Sequence, residues 1–313
     1  MPTGKKKQER LAFGVDVGGT RTKYGLVELS SGEIRAQTVL PTASSGTEAF
    51  ITALEQALDE LADQAGIERH DCLGLGIGVP GAVIDDDISE IWKTLAFLNG
   101  DSLHPLLEDR LGMPVRLDND ARLVALGEAN YGSERGAGRL LSLTLGTGLG
   151  FGFVVDGRLQ EANSLNHMAG HILIRPGTET CYCGLSGCLE SLVSADGLVK
   201  AYLEASSQTG LSSEPLPDPQ EIFTLATQGN SLAVSTVGQW LEDLSQGLNV
   251  YCYLFAPQVI VLGGGLAKNL TPYLAGLQSR LFARPFAGYN ARLSISQLGE
   301  KAGILGAAAL FTP

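Results

Sequence analysis

Apolar residues near the start of the chain fall into three short runs, at residues 11–17, 21–29 and 33–40. The turn-forming segments Gly18-Gly19-Thr20 and Ser31-Gly32 separate them. Short apolar runs between such segments are typical of strands joined by tight turns. The pattern therefore predicts an antiparallel meander of three strands.

From Thr47 the spacing of apolar residues changes to that of one face of a helix. A continuous apolar run at residues 72–79 predicts a buried strand, and residues 103–111 predict a second helix. Residues 114–117 predict a further strand, which ends at Asp118. This region therefore predicts one sheet covered by helices.

The opening pattern recurs later in the chain. Residues 140–145 and 149–155 predict two strands around the turn Gly146-Thr147-Gly148. A strand, a Gly/Thr turn and a returning strand in both halves are the signature of a duplicated unit. Beyond them, residues 258–262 predict a buried strand and residues 302–311 a closing helix.

The length of 313 residues favours two domains, at roughly 150 residues per domain. We predict an α/β protein with an N-terminal lobe at residues 1–122 and a C-terminal lobe at residues 123–301. The closing helix, from about residue 302 to 313, is expected to pack back on the first lobe. Two lobes imply a cleft between them.

Composition excludes several classes of protein. The formal net charge is −12, whereas proteins that bind the phosphate backbone of nucleic acids need clustered Lys and Arg. No apolar stretch approaches the roughly 20 residues of a membrane span, and the N-terminus lacks the apolar core of a signal peptide. We therefore expect a cytoplasmic protein that binds neither nucleic acid nor membranes.

Two glycine turns are candidate phosphate sites. Asp16 ends the first strand before the Gly18 turn and Lys23 follows it, while the second turn is Gly146-Thr147-Gly148. Glycine lets backbone N–H groups approach phosphate oxygens closely, although ordinary hairpins use glycine pairs as well. Neither segment matches the dinucleotide fingerprint or the P-loop, which disfavours a Rossmann dehydrogenase.

The segment Asp118-Asn119-Asp120 follows a strand and begins a helix. A carboxylate there could take a proton from a hydroxyl that attacks a phosphoryl group, and Asn119 could hold that acceptor. The alternative is that Asp118 or Asp120 only caps the helix.

Cysteines crowd into a short segment after His171. Cys181, Cys183 and Cys188 would provide three thiolates, and His171 an imidazole, for a tetrahedral zinc ion. A site filled by four protein ligands is structural, because catalytic zinc keeps an open position. The alternative, free thiols in a polar glycine-rich loop, leaves their clustering unexplained.

These motifs resemble those of the ROK family of sugar kinases and repressors. The most specific part is Gly170-His171 with the pattern CxCGxxGCxE at residues 181–190. The other matching segments stand in the family's order across residues 11–312: Asp16–Lys23, Gly76–Gly81, Asn119-Asp120, the Gly146 turn, Val259–Gly265 and Gly303–Ala308.

The resemblance implies an actin-like fold of two lobes, of the ASKHA or ribonuclease H-like class, with sugar, ATP and Mg²⁺ in the cleft. It implies that Asp120 is the catalytic base. The residues that would contact the sugar are Asn119, Asp120, His171 and Glu190. Those that would bind the nucleotide are Asp16, Gly18, Gly19, Thr20, Lys23, Gly146, Thr147, Gly148, Gly263, Gly264 and Gly265. A homodimer or homotetramer is also expected.

Two departures from the family pattern concern the sugar side. Met168 stands where the family has a glutamate that accepts hydrogen bonds from the sugar. The segment 93–100 lacks the family's Asn-Leu-Pro-Gly-Trp form, and Asn99 is the residue that could substitute after a loop shift. A hydrogen bond to a charged group contributes about 1.5–3 kcal/mol, so losing the glutamate should change affinity or selectivity.

We therefore predict an ATP-dependent, glucokinase-type kinase that phosphorylates a hexose or an N-acetylhexosamine at the 6-hydroxyl. One alternative is a sugar-binding sensor of the same family with weakened catalysis. The family's repressors carry a helix-turn-helix domain ahead of the core, whereas about ten residues precede the first predicted strand here. A further alternative is polyphosphate as the donor.

Overall fold

The computed structural model describes residues 10–91, 93–100, 102–160, 164–177, 180–208, 217–282 and 290–312. Within these ranges, no helix combines the length and apolar character needed to cross a bilayer. The chain divides into two compact units. The first runs to residue 135 and resumes at residue 300, and the second contains nearly all of the residues between.

The first unit contains the strands and helices that the apolar pattern predicts, plus a short hairpin that it misses. Its elements up to residue 135 are β1 (Leu11–Val17), β2 (Arg21–Glu28), β3 (Glu33–Pro41), α1 (Thr47–Ala65), β4 (Leu75–Val79), β5 (Ala82–Ile84), β6 (Asp87–Glu90), α2 (Leu103–Leu111), β7 (Val115–Asn119) and α3 (Asp120–Tyr131).

The second unit begins with the repeated strand pattern and continues with helices. Its elements are β8 (Arg139–Leu145), β9 (Leu149–Val155), β10 (Arg158–Leu159), α4 (Leu189–Val193), α5 (Ala195–Gln208), α6 (Pro219–Thr227), α7 (Ser231–Phe255), β11 (Val259–Gly263), α8 (Leu274–Phe282) and β12 (Arg292–Ile295). The closing helix α9 (Ala302–Ala309) belongs to the first unit.

The main sheets of the two units have the same topology. The strand order is β3-β2-β1-β4-β7 in the first unit and β10-β9-β8-β11-β12 in the second. In each, an antiparallel meander is followed by two strands parallel to its first strand. The repeat in the sequence thus corresponds to a repeat in the structure.

In the first unit, side chains alternate across the central strands. Leu75, Ile77 and Val79 of β4 join the apolar core that α1 covers, whereas Gly76 lies on the opposite face against α9. A Cβ at Gly76 would overlap the Ala307 carbonyl oxygen. The absence of a side chain at Gly76 therefore lets α9 lie directly on the sheet.

In the second unit, the long helix α7 provides much of the core. Its buried residues pack against the apolar face of β8 and β9, where Phe151 and Tyr251 have ring centroids 5.2 Å apart. Tyr251 is fully buried, and its hydroxyl donates a 2.8 Å hydrogen bond to the Ala169 carbonyl. This bond fixes the 3₁₀ helix Ser164–His171 to the core.

Candidate functional site

Carboxyl groups lie where the parallel strands of the first sheet end. The registers of β1, β4 and β7 place Asp16, Gly78 and Asp118 side by side. Gly78 leaves room for the start of α3, since a Cβ there would lie 3.4 Å from the Asp120 Cα. Likewise, a Cβ at Gly303 would lie 2.7 Å from the Asp16 Cγ. Glycines therefore bring α3 and α9 close to this edge.

Asn119 caps α3. Its side-chain oxygen accepts hydrogen bonds from the backbone N–H groups of Ala121 and Arg122, at 3.0 and 3.2 Å. Its amide donates to the Gly81 carbonyl at 3.0 Å. The cap is thus Asn119, so the alternative in which Asp118 or Asp120 caps the helix is wrong. The contact of Asn119 with a sugar hydroxyl stays a prediction.

The two aspartates beside Asn119 have different surroundings. Asp118 binds the Arg122 guanidinium with both oxygens, at 2.6 and 3.1 Å, and is therefore held as an ion pair. Asp120 begins α3 and accepts a 2.8 Å hydrogen bond from the Ala121 N–H. Desolvation and the negative charge of Asp16 raise the pKa of Asp120 to about 7. A carboxyl with this pKa is suited to general base catalysis near neutral pH.

Lys23 lies next to the Asp16 carboxylate. Its Nζ is 3.3 Å from the Asp16 Oδ2 and 3.8 Å from the Glu300 Oε2. Both Lys23 and Asp16 are about one-fifth exposed, at 21% and 19% of their side-chain surface. The predicted phosphate ligand Lys23 is thus held by carboxylates on β1 and ahead of α9.

The first glycine turn closes as a hairpin. The Gly18 N–H donates to the Arg21 carbonyl at 3.0 Å, and the Gly18 carbonyl accepts from the Thr42 hydroxyl at 2.6 Å. Gly19 and Thr20 are exposed at its tip. The N–H of Gly18 is used inside the turn, so the exposed tip is the part of this segment that faces solvent.

The second glycine turn is held in its unit by hydrogen bonds with two neighbouring segments. The Gly146 N–H donates to the Gly148 carbonyl at 3.0 Å, and the Gly146 carbonyl accepts from the N–H of Ala195 at 2.8 Å. The carboxylate of Glu190 accepts a 3.1 Å hydrogen bond from the Leu149 N–H. Glu190 is therefore hydrogen-bonded to the residue that follows this turn.

The predicted nucleotide glycines are adjacent to the same turn. β11 pairs with β8 so that Gly263 lies opposite Thr144. Gly264 has a φ of 86°, and a Cβ there would overlap the carbonyl oxygen of Leu145. Glycine is required at this position because a side chain would be strained and would not fit. The structure thus brings two predicted nucleotide segments together at one sheet edge.

The four predicted metal ligands come together in the second unit. The ligand atoms of His171, Cys181, Cys183 and Cys188 all lie within 4.8 Å of one another. The His171 Nδ1 is 3.5 Å from the Cys181 Sγ, and the sulfurs of Cys183 and Cys188 are also 3.5 Å apart. This set has the ligand types and spacing of a closed tetrahedral metal site.

Local structure positions the metal ligands. His171 ends the 3₁₀ helix that Tyr251 anchors, and Cys188 is the N-cap residue of α4. Burial raises the pKa of the Cys188 thiol to about 12, so a bound cation would be needed to favour its thiolate. The donor set therefore fits a divalent cation. Glu190, in the first turn of α4, is placed by the same loop.

Sequence reasoning missed the residues that support this loop. Arg175 lies between the metal ligands and forms two hydrogen bonds, at 2.8 and 3.0 Å, with Asp243 of α7, which is 2% exposed. Arg175 and Asp243 are far apart in the chain, and their spacing gives no sign that they pair. Tyr182 contacts His171, and its place between two cysteines was the available signal.

Asn99 and Met168, which concern the two departures from the family pattern, have different surroundings in the structure. The amide of Asn99 accepts from the Ile91 N–H at 2.9 Å and donates to the Ile91 carbonyl at 2.8 Å. Asn99 is therefore bound to its own segment in the structure. Met168 is partly buried in the 3₁₀ helix, three residues before His171.

Two α/β units that share this sheet topology, each with a glycine turn after its first strand, are the features of an actin-like fold. The model of the ROK family matches residues 12–313. The chain belongs to the ROK family, as its motifs predicted.

Named relatives span nearly the same length. The glucokinase of Halalkalibacterium halodurans is 32% identical over 311 residues, which cover 95% of this chain and 94% of that protein. The N-acetyl-D-glucosamine kinase of Citrobacter koseri is 32% identical over 312 residues, covering 95% and 98%.

Solved structures show the same fold. The ROK hexokinase from Thermus thermophilus has a TM-score of 0.82 and 30% identity, with 96% of this chain and 97% of that chain covered. The ROK glucokinase from Streptomyces griseus, in complex with glucose and AMPPNP, has a TM-score of 0.76 and 28% identity, covering 96% and 98%. The predicted actin-like α/β fold is confirmed.

Proposed function

We propose that this chain transfers the γ-phosphoryl group of ATP to the 6-hydroxyl of a hexose or an N-acetylhexosamine. The enzyme class, an ATP-dependent sugar kinase, is confirmed by named relatives and by the complex of one of them with an ATP analogue. The observation that carries the proposal is Asp120, a carboxyl at the start of α3 with a pKa near neutrality.

Asp120 is the proposed general base. Above its pKa of about 7 the carboxylate accepts the proton of the sugar hydroxyl as that oxygen attacks phosphorus. The nearby charge of Asp16 favours proton uptake by Asp120. Asp118 cannot replace it, because both of its oxygens are bound by Arg122.

The nucleotide is assigned to the two glycine turns and to the segment Gly263–Gly265. The exposed tip residues Thr20 and Thr147 offer hydroxyl groups for phosphate oxygens. Asp16 would be a ligand of Mg²⁺, a cation that prefers carboxylate and phosphate oxygens. When bound, Mg²⁺ neutralises charge that develops on the phosphates. Lys23 beside Asp16 adds a positive charge at this edge.

Zinc is proposed for the site of His171, Cys181, Cys183 and Cys188. With four protein ligands the ion stabilises the loop and leaves no position for a substrate. Because Cys188 is the N-cap residue of α4, the ion would also fix the start of the helix that carries Glu190. Its effect on catalysis is therefore indirect, through the position of Glu190.

A sugar panel tests the activity. ADP release should be measured with glucose, mannose, galactose and their 2-acetamido counterparts, with ATP or polyphosphate as donor. Turnover of one of these sugars with ATP supports the proposal. Tight sugar binding without ADP release would instead favour the sensor, and turnover with polyphosphate alone would overturn the assigned donor.

A further inference from the structure

The backbone of β9 has an outward-facing donor beside the second glycine turn. The Gly146 N–H donates to the Gly148 carbonyl, and the next pair along the hairpin is Leu145 with Leu149. Hydrogen-bonded and non-hydrogen-bonded pairs alternate along antiparallel strands, so the Leu149 N–H points away from β8. Consistently, the Leu145 carbonyl accepts from the Leu266 N–H at 3.1 Å, on the opposite side of the hairpin. β10 pairs only with the far end of β9 among the described residues.

The carboxylate of Glu190 occupies this edge of β9. Its Oε2 accepts the Leu149 N–H at 3.1 Å, and a Cβ at Gly148 would lie only 3.3 Å from the same oxygen. Leu149 is buried, and a buried N–H without a partner costs about as much as a lost hydrogen bond. Glu190 therefore provides the acceptor that a neighbouring strand would otherwise supply.

Other segments fix the position of this carboxylate. A Cβ at Gly170 would lie 3.5 Å from the Glu190 Cβ and 3.0 Å from the Leu149 carbonyl oxygen, so the 3₁₀ helix packs closely on both. The Tyr182 hydroxyl also forms a hydrogen bond with Glu190. The side chain of Glu190 is thus a fixed support for the hairpin.

The segment that carries Glu190 contacts both ends of the turn. Glu190, in the first turn of α4, binds the residue after the turn. Ala195, which follows α4, donates its N–H to the carbonyl of Gly146, the first residue of the turn, at 2.8 Å. The exposed Thr147 lies between these two contacts. Because backbone N–H groups bind phosphate only when they are oriented together, the turn needs such support.

We propose that Glu190 is a positioning residue for the nucleotide, which holds the second glycine turn in the conformation that receives phosphate oxygens. This role is additional to the sugar contact that the family resemblance implies. A carboxylate repels phosphate, so its place beside this turn is explained by its hydrogen bond to the backbone. The role accordingly requires an oxygen at the reach of Glu190 and does not require its charge. This inference rests on the proposed function, which assigns phosphates to this turn.

Three variants separate reach from charge. E190Q keeps an oxygen at the same reach and removes the charge, E190D keeps the charge and shortens the side chain by one methylene, and E190A removes both. E221A is the matched control, because Glu221 is an exposed glutamate in the first turn of α6.

Titration calorimetry should measure the affinity of each protein for AMPPNP with Mg²⁺, at a saturating concentration of the sugar that the wild type phosphorylates. Sugar affinity is measured separately. Steady-state kinetics provide KM for ATP and kcat, and elemental analysis provides the zinc content per chain.

E190A and E190D should bind AMPPNP about tenfold more weakly than the wild type, roughly the value of one hydrogen bond. E190Q should stay within about twofold of the wild type, because its amide oxygen still accepts from the Leu149 N–H. KM for ATP should follow the same order, with a smaller change in kcat at saturating ATP. E221A should match the wild type, and zinc content should be the same in all proteins.

Several results would overturn the inference. Wild-type AMPPNP affinity in E190A and E190D, with sugar affinity reduced, would make Glu190 a sugar contact alone. An equal loss in E190Q and E190A would mean that charge is what matters, and a loss that follows zinc content would make Glu190 a support of the metal loop. If E190A does not fold, the comparison of E190D with E190Q decides. A wild type that phosphorylates none of the sugars would instead overturn the proposed function.

Discussion

In the first unit, the strand ends of the sheet carry Asp16 and Asp120, held close by glycines in the sheet and in α9. In the second unit, the corresponding edge carries the Gly146 turn and Glu190, next to a loop with four candidate metal ligands. The same topology thus carries close backbone packing beside its candidate site in one unit and a candidate metal cluster beside it in the other. On the proposed function, the first unit would carry the catalytic base and the second unit a residue that positions the substrate.

The largest expected effect concerns the chemistry of the first unit. D120N should lower kcat by about 10²–10⁴-fold, because an amide cannot accept the proton. Wild-type kcat should rise with pH through about 7 as Asp120 loses its proton. Steady-state ADP release at several pH values measures both effects.

D156N, in the exposed turn after β9, is the control for D120N and should keep the wild-type kcat. If D120N turned over at the wild-type rate, Asp120 would not be the base. The assignment of the catalytic base to the first unit would then be wrong.

Removing a metal ligand tests the second unit. C183S should lower the zinc content below one per chain and reduce the free energy of unfolding by at least about 4 kcal/mol. Sugar affinity should fall as well, because Glu190 is placed by the same loop. Elemental analysis, urea unfolding and calorimetry provide the readouts.

C252S changes a buried cysteine of α7 that lies outside the cluster, and it should keep the metal. A C183S protein with wild-type stability and sugar affinity would show that the cluster is not structural.

The raised pKa of Asp120 also affects stability. Its folded pKa of about 7 is above its unfolded value, so the stability it contributes is present at low pH and is lost as the pH rises toward 7. Between pH 5 and pH 7.5, D120N should therefore gain roughly 2–3 kcal/mol relative to the wild type. Urea unfolding at both pH values checks this. A pH-independent difference would contradict the raised pKa.

Close packing of α9 in the first unit gives the next effect. A Cβ at Gly306 would overlap the Leu123 carbonyl oxygen of α3, so G306A should destabilise the protein by about 3 kcal/mol. G238A is the matched control, because Gly238 is an exposed position in α7 with open space around it.

Thermal unfolding compares the two variants. G238A should stabilise the protein by about 0.5–1 kcal/mol, since alanine favours a helix. Equal stability of G306A and the wild type would show that α9 can move away from α3 at no cost.

The smallest effect concerns the ion pair that holds the metal loop. D243N removes a carboxylate that binds Arg175 with both oxygens and should lower the free energy of unfolding by about 2 kcal/mol. E242Q is the control, because the pair of Glu242 with Arg280 is exposed and should contribute about 0.5 kcal/mol. Chemical denaturation resolves the two. Equal decreases in the free energy of unfolding for D243N and E242Q would mean that burial does not strengthen the ion pair of Asp243 with Arg175.

Most of the strand pattern could be predicted from the sequence. The β1–β2 turn and its repeat at β8–β9 follow from apolar runs bounded by glycine, which are local signals. The hairpin of β5 and β6 and the strand β12 were missed because their short segments carry little periodicity. The metal cluster was predictable because three of its ligands lie within one short loop.

Side-chain partners at long separation could not be predicted. Asn99 was a candidate sugar contact by residue type, yet its amide is bound to the Ile91 backbone. Either aspartate beside Asn119 could have capped α3 by its residue type, but the structure selects Asn119 itself. Such choices depend on which backbone groups need partners once the chain has folded.

The sequence by itself determined the repeated sheet and the clustering of His171 with Cys181, Cys183 and Cys188, because periodicity, residue type and short spacing encode them. Only the tertiary structure decided that desolvation and the charge of Asp16 raise the pKa of Asp120 to about 7, and that Tyr182 contacts His171. Burial and charge at a site depend on elements that are far apart in the chain, and these meet only when the chain folds.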